Sequence, residues 1–322
     1  MSSVTRLLRD SLLIAFKRHR RLAVIGTEYV DSGWDKEALR VLTPVVRAEP
    51  ADGKALLAMA RALNNLGRHN EALEASRQAA RRFPSHPYVN YEIGNSLFYL
   101  GRDSEALPFL SRAIAGAPSV PEMHGFLGEV LIVLRRYEDA IPPLEEAIRL
   151  SPAEGKFHSQ LGIALAELGR SGDAVIELEE GVRLAPSFAR AHAELGYLYG
   201  EAERFEEALS EFDTAIRLDP EIEIAHRNRG IGLGLMGRWS EALESVRTSL
   251  RLTPNNPLAL ACLGQTLAAL GQWEGAKSAF EEALALEPAC LENNPRQKAA
   301  WEDVRRRLSC ATLNQEHRTD GR

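Results

Sequence analysis

The sequence predicts an all-α solenoid of eight stacked helix pairs, and three observations carry that expectation. Alanine recurs every 34 residues at Ala38, Ala72, Ala106, Ala140, Ala174, Ala208, Ala242 and Ala276. Proline keeps the same interval at Pro50, Pro84, Pro118, Pro152, Pro186, Pro220, Pro254 and Pro288. A small residue does so at Gly26, Ala60, Gly94, Gly128, Gly162, Gly196, Gly230 and Gly264. Three ladders in one register mark an internal repeat. A single helix pair cannot bury its apolar surface alone, so neighbouring pairs must stack.

The elements follow in order. Residues 1–18 read as a basic amphipathic helix that caps the first repeat. Eight gapless repeats then occupy 19–52, 53–86, 87–120, 121–154, 155–188, 189–222, 223–256 and 257–290. In each, a first helix (A) usually stops at a glycine, as at Gly33, Gly67, Gly101, Gly169, Gly237 and Gly271. Glycine just past a helix takes the left-handed conformation that closes it. The second helix (B) carries the ladder alanine and ends before the proline, which cannot continue a helix. Small residues where A and B cross let the two axes approach closely. Residues 291–308 read as a C-terminal capping helix with Ala299, Trp301, Val304 and Leu308 facing inward. The polar segment 309–322 is expected to be disordered.

The 34-residue interval, with its small residue, helix-B alanine and closing proline, resembles the tetratricopeptide repeat (TPR) family. "GEVLIVLRRYEDAIPPLEEAIRLSP" and "GYLYGEAERFEEALSEFDTAIRLDP" look like ordinary members. The repeats cover 272 of 322 positions. One feature departs from the family: leucine, asparagine or histidine stands early in helix A, where an aromatic residue is frequent. The resemblance implies a right-handed superhelix whose A helices line a concave groove that receives peptides. It also implies which helix-A positions face that groove: 2, 5, 9, 12 and 13.

Those positions give meaning to "YVNYEIGNSLFYLG", residues 88–101. On a helix advancing 100° per residue, Ile93, Leu97 and Leu100 fall on one side, and a second apolar face lies well away from it. The second face is Tyr88, Tyr91, Asn95, Phe98 and Tyr99, the five groove positions of the third repeat. The second repeat adds Arg61, Asn64 and Asn65, and the fourth adds Glu129, Ile132 and Val133. Exposed aromatics beside arginine and asparagine have the composition of an interaction hot spot. The competing expectation is that curvature buries the rings against neighbouring helices. The expected partner is a protein or peptide.

Other motifs are absorbed by the repeat. "GLGLMG" (232–237) satisfies the dinucleotide fingerprint, yet it lies inside a helix A rather than between strand and helix. "GQWEGAKS" (271–278) has Ala276 where a phosphate-binding loop needs glycine. His124, His158, His192 and His226 form a fourth ladder, but helices 8–10 Å apart cannot bring four nitrogens to the ~2.1 Å that zinc requires. They are assigned to packing, with no metal site and no cofactor. The chaperone-binding carboxylate clamp known in some TPR proteins lacks its opening Lys-x3-Asn pair here. The nearest cation, Arg227, is followed by Ile231 where asparagine is required. Gly230, Gly232 and Gly234 within one helix predict a soft stretch around 224–236. With no catalytic motif and an array that occupies most of the chain, an enzyme is not expected.

Charge narrows the partners. A total of −6 conceals +5 in residues 1–21 and +2 in 291–322, which leaves −13 for the middle. An acidic middle argues against nucleic acid; it fits basic partners and equally fits acidic helices that are simply soluble. Cys262, Cys290 and Cys310 are few, odd in number and unpaired by motif, as in a cytoplasmic protein with reduced thiols. The alternative to a cytoplasmic scaffold is an assembly factor whose basic N-terminal helix lies on an acidic membrane.

Overall fold

The computed structural model describes residues 20–50, 52–292 and 294–319, with side chains as far as Ser309. The expected cap at 1–18 lies outside the described residues. Among the described residues there are helices and turns and no strand. The chain divides into two compact units, residues 1–164 and 165–322.

The first unit contains α1 (20–31) and α2 (Asp35–Ala48), α3 (Gly53–Asn65) and α4 (His69–Arg82), α5 (Pro87–Tyr99) and α6 (Asp103–Gly116), then α7 (Pro121–Val133) and α8 (Tyr137–Leu150). It ends within α9 (Gly155–Glu167). The second unit contains α10 (Ser171–Leu184), α11 (Ala189–Glu201) and α12 (Phe205–Leu218), α13 (Glu223–Leu235) and α14 (Trp239–Leu252), α15 (Pro257–Ala269) and α16 (Trp273–Leu286), and finally α17 (Pro295–Thr319). Within each unit consecutive helix hairpins stack side by side, which is the repeating architecture of an α-solenoid.

Local chemistry sets the helix limits. Asp52 caps α3 by accepting from the N–H groups of Lys54 and Ala55, both at 3.1 Å. Proline fills the first position of α5, α7 and α15, where no intrahelical partner is needed for the missing N–H. Each helix A ends in a left-handed residue. Six of these are the expected glycines, with φ between 70° and 75°. Arg135 (φ 57°) and Glu203 (φ 59°) hold the same turn in repeats that lack the glycine. The chain closes around each of them identically: the N–H of Arg136 reaches the carbonyl of Leu131 at 2.8 Å, and that of Arg204 reaches Tyr199 at 2.9 Å. An arginine then opens helix B and grips a carboxylate three residues on, as in Arg68–Glu71, Arg102–Glu105, Arg136–Asp139 and Arg170–Asp173. These pairs are solvent-exposed and each contributes little.

The ladders are the core. Ala38, Ala72, Ala106, Ala140, Ala174, Ala242 and Ala276 are completely buried. A Cβ on Gly94 would lie 2.6 Å from Leu110, and one on Gly128 would lie 2.5 Å from Leu144, so helices A and B meet there without room for a methyl group. The histidine ladder has a more specific role than packing. Nε2 of His124, His158, His192 and His226 donates to the carbonyls of Pro118, Pro152, Pro186 and Pro220 at 2.9, 3.1, 3.1 and 3.0 Å. The amide of Asn90 does the same to Pro84 at 3.0 Å. A side chain six residues on thus satisfies the carbonyl of the ladder proline at the turn between repeats. That explains polar residues where the family often has an aromatic one.

Two expectations at the C-terminus need correction. α17 packs against α15 and α16 through Val304, which is fully buried, and through Trp301, whose ring lies 5.5 Å from that of Phe280. Ala299 is exposed; Gln297 and Ala300 take the inward face instead, because 297, 300, 301, 304 and 308 follow the helical period and 299 does not. The helix also continues past residue 308 to Thr319. No proline or glycine interrupts 296–319, so nothing in the sequence stops it where polarity alone suggested an end.

Candidate partner-binding groove

In the first unit, α3, α5 and α7 flank a cavity of about 670 Å³. Five of the sequence-expected residues line it: Arg61 and Asn65 from α3, and Tyr88, Tyr91 and Asn95 from α5. Tyr88 is 47% exposed. Arg61 reaches across to Asp31 at 2.8 Å, and the amide of Asn65 donates to Asp35 at 3.1 Å. The Oδ1 of Asn95 is buried and accepts no hydrogen bond from the protein.

The other four expected residues stand elsewhere. Asn64 is buried, and its amide donates to the Glu92 carboxylate at 2.7 Å while its Oδ1 accepts from Ser96 Oγ at 2.9 Å. His69 Nδ1 stands 3.2 Å from the same Oδ1. Asn64 therefore joins α3 to α5 and is not a free amide for a ligand. Phe98 packs edge-on against Phe126 of α7, with ring centres 5.3 Å apart. Tyr99 is 57% exposed but stacks on His69 of α4 at 4.7 Å, away from the cavity. Glu129 faces a neighbouring recess of about 210 Å³, held by Lys156 at 2.8 Å and Gln160 at 3.0 Å.

The two competing expectations for the aromatic face each describe part of it. Phe98 is packed between repeats. Tyr91 is half-buried, its ring 5.6 Å from Phe126, and it also lines the cavity. Position 12 is a packing slot: Phe98 is partly buried there, and Asn64 and Ile132 at the same position are buried. Among the groove positions, 2, 5 and 9 contribute most to the cavity, and position 13 contributes Asp31 and Asn65. Lys54, Leu57 and Glu122, at positions 2 and 5 of the flanking repeats, line it too, and Gly125 lines the neighbouring recess. The sequence reading missed them, although the same periodicity identifies them once the positions already used in the third repeat are applied to its neighbours.

Glu92 is the electrostatic centre of this region. It is 4% exposed and lines the cavity from α5. Burial pushes its pKa up to about 7 against the opposing pull of the Asn64 hydrogen bond and the Arg61 charge. Tyr91 is pushed upward as well, first by burial and then by the charges of Glu92, Glu122 and Glu129. Among the described residues no group of three or more His, Cys, Asp or Glu could hold a metal ion. No helix among them is long and apolar enough to cross a membrane.

Comparison with known proteins decides the family. A tetratricopeptide-repeat profile matches residues 25–87, 91–155, 159–221 and 193–257, and a second one matches 257–290. The chain belongs to the tetratricopeptide repeat family. Solved structures align with this chain as well. A chain of the APC/C hetero-tetramer Cut9–Hcn1 aligns over 84% of this chain with 17% identity and a TM-score of 0.67, and the match spans about half (52%) of that chain. Pseudomonas aeruginosa PilF aligns over 64% of this chain and 94% of its own, with 17% identity and a TM-score of 0.57. YrrB, a TPR protein described as having an unusual peptide-binding site, aligns over 57% of this chain and 95% of its own, with 24% identity and a TM-score of 0.47. A sequence search of curated proteins gave no match. At these identities the structural likeness concerns the fold. TPR membership makes the chain a protein-interaction scaffold.

Proposed function

We propose that this TPR protein is a non-catalytic adaptor that captures a peptide segment of a partner protein in the cavity between α3, α5 and α7. The single observation that supports this reading is the convergence of Tyr88, Tyr91, Asn95, Arg61 and Asn65 on one cavity of about 670 Å³. That size matches the cavities that enclose ligands in general. Tyrosine offers large contact area at low entropic cost, and asparagine amides pair with a peptide backbone whatever its sequence. The membrane-anchored alternative depends on residues 1–18, outside the described residues, and no observation favours it.

Tyr88 is the side chain to remove, because its exposure frees it from the core. Tyr88→Ala is expected to weaken partner capture by about 1–2 kcal/mol while leaving the thermal unfolding midpoint within a degree or two. Tyr99→Ala, away from the cavity, serves as the control. Equal capture by wild type and Tyr88→Ala, measured by titration with a partner isolated from native lysate, would overturn the assignment.

A further inference from the structure

The chemistry of the same cavity restricts what the partner brings to it, and the argument rests on the peptide-capture reading above. The charged groups are segregated. Both cations of the cavity, Lys54 and Arg61, stand on α3, whereas Glu92 stands on α5 and Glu122 on α7. Asp31 answers Arg61, and Lys156 answers Glu129 next door. Glu122 is exposed, and no cation among the described residues pairs with it. Glu92 is buried against Asn64, so the uncompensated negative charge on the α5–α7 side of the cavity is that of Glu122.

Aromatic rings bound that same side. Tyr88 and Tyr91 project from α5, and the hydroxyl of Tyr91 lies in the combined field of Glu92, Glu122 and Glu129. A ring face beside carboxylates attracts a cation both through its quadrupole and through the adjoining charge. A carboxylate or phosphate there would face Glu122 with like charge, whereas a lysine or arginine side chain brings the opposite charge and donors for its oxygens.

We infer that the α5–α7 side of the cavity receives the cationic side chain of a lysine or arginine in the partner peptide, held by the rings of Tyr88 and Tyr91 and the carboxylate of Glu122. Lys54, on the opposite side, then sets the direction of the peptide, since an acidic residue is favoured there. The acidic middle of the chain adds a diffuse attraction of the same sign.

Selection of random phage-displayed dodecapeptides on the full chain tests the inference without a known partner. The retained peptides are expected to share one lysine or arginine. Replacing it by norleucine should weaken binding about tenfold, in line with a desolvated cation on an aromatic wall. Glu122→Gln, an exposed and fold-neutral change, should weaken the basic peptide severalfold and leave the norleucine peptide unchanged. Retained peptides that lose affinity in Tyr88→Ala but tolerate norleucine, or that ignore Glu122→Gln, would overturn the cationic anchor and leave peptide capture standing. No retained peptide, or peptides indifferent to Tyr88→Ala, would overturn peptide capture at this cavity and the anchor with it.

Discussion

Helix α5 in the first unit and α13 in the second occupy the same place in their repeats and present opposite groove faces. At positions 2, 5, 9, 12 and 13, α5 carries Tyr88, Tyr91, Asn95, Phe98 and Tyr99, whereas α13 carries Ile224, Arg227, Ile231, Gly234 and Leu235. Position 12 shows how the difference is accommodated. Phe98 fills that slot from α5 itself. In α13 the slot is vacated, and a Cβ on Gly234 would lie 2.9 Å from the indole of Trp239, the first residue of α14. The slot must be occupied, but either helix can supply the occupant. The groove positions on either side of it carry no such duty and diverge freely. Around α13 the larger recess, lined by Glu194, Tyr197, Arg227 and Asn228, is about 350 Å³, half the size of the cavity at α5.

The sharpest contrast is the buried carboxylate of α5, which α13 lacks. Because burial raises the Glu92 pKa from 4.5 to about 7, the folded chain holds a proton that the unfolded chain has released. Its contribution is thus fully present below pH 4.5 and is lost as pH rises through about 7. The stability difference between Glu92→Gln and wild type should grow in favour of the variant across that window, by roughly 3 kcal/mol. Urea unfolding at several pH values measures it; parallel curves would show that the carboxylate is well solvated.

Next in size is Asn64→Ala, which strips Glu92 and Ser96 of their shared partner and is expected to cost about 2 kcal/mol by denaturant midpoint. Asn65→Ala, one residue further along, should change stability by no more than about 0.5 kcal/mol. Equal effects at the two sites would erase the distinction between packing slot and groove.

On the α13 side, close contacts explain two of the three glycines: Gly234 admits Trp239, and a Cβ on Gly230 would fall 2.5 Å from Val246. Gly232 would meet only Leu209, at an ordinary 3.6 Å. Gly232→Ala should therefore stabilise the second unit by about 0.5–1 kcal/mol and slow amide exchange around 224–236. A destabilised variant would mean that the backbone there moves into space the structure leaves open.

The smallest effect concerns a feature that the two units share. Arg135→Gly in the first unit and Glu203→Gly in the second should each stabilise by about 0.5 kcal/mol, relief of the left-handed cost being partly offset by the entropy of glycine. Unequal shifts in melting temperature would show that the two turns differ despite their matching hydrogen bonds.

The helix hairpins were legible in the sequence because each depends on short-range rules that recur along the chain: an alanine or glycine at all eight crossings, a glycine at six of the eight turns, a proline at all eight stops. Tyr88, Tyr91 and Asn95 were legible because exposed positions inherit their direction from the helix they stand on. Asn64 was misread because its partner Glu92 lies 28 residues away, and no local pattern announces that an exposed-looking amide will meet a buried acid. Arg135 and Glu203 escaped notice for the converse reason: the left-handed turn persists without the residue that advertises it. The histidines were expected to pack, and His124 and His192 are buried while His158 and His226 are partly exposed; the bonds of all four to the proline carbonyls require three-dimensional direction, which spacing alone does not give.

The bridge from Asn64 to Glu92 and Ser96 has a consequence for recombination. Its donor and acceptors come from different repeats, so a crossover that exchanges the third repeat alone would strand a carboxylic acid inside the array or leave an amide with nothing to hold. Other neighbouring repeats are also bonded through side chains, as Glu129 is to Lys156 and Gln160, but those links lie nearer the surface, where water can replace a lost partner. The second and third form a doublet, and any transplant of the cavity into another scaffold has to carry both.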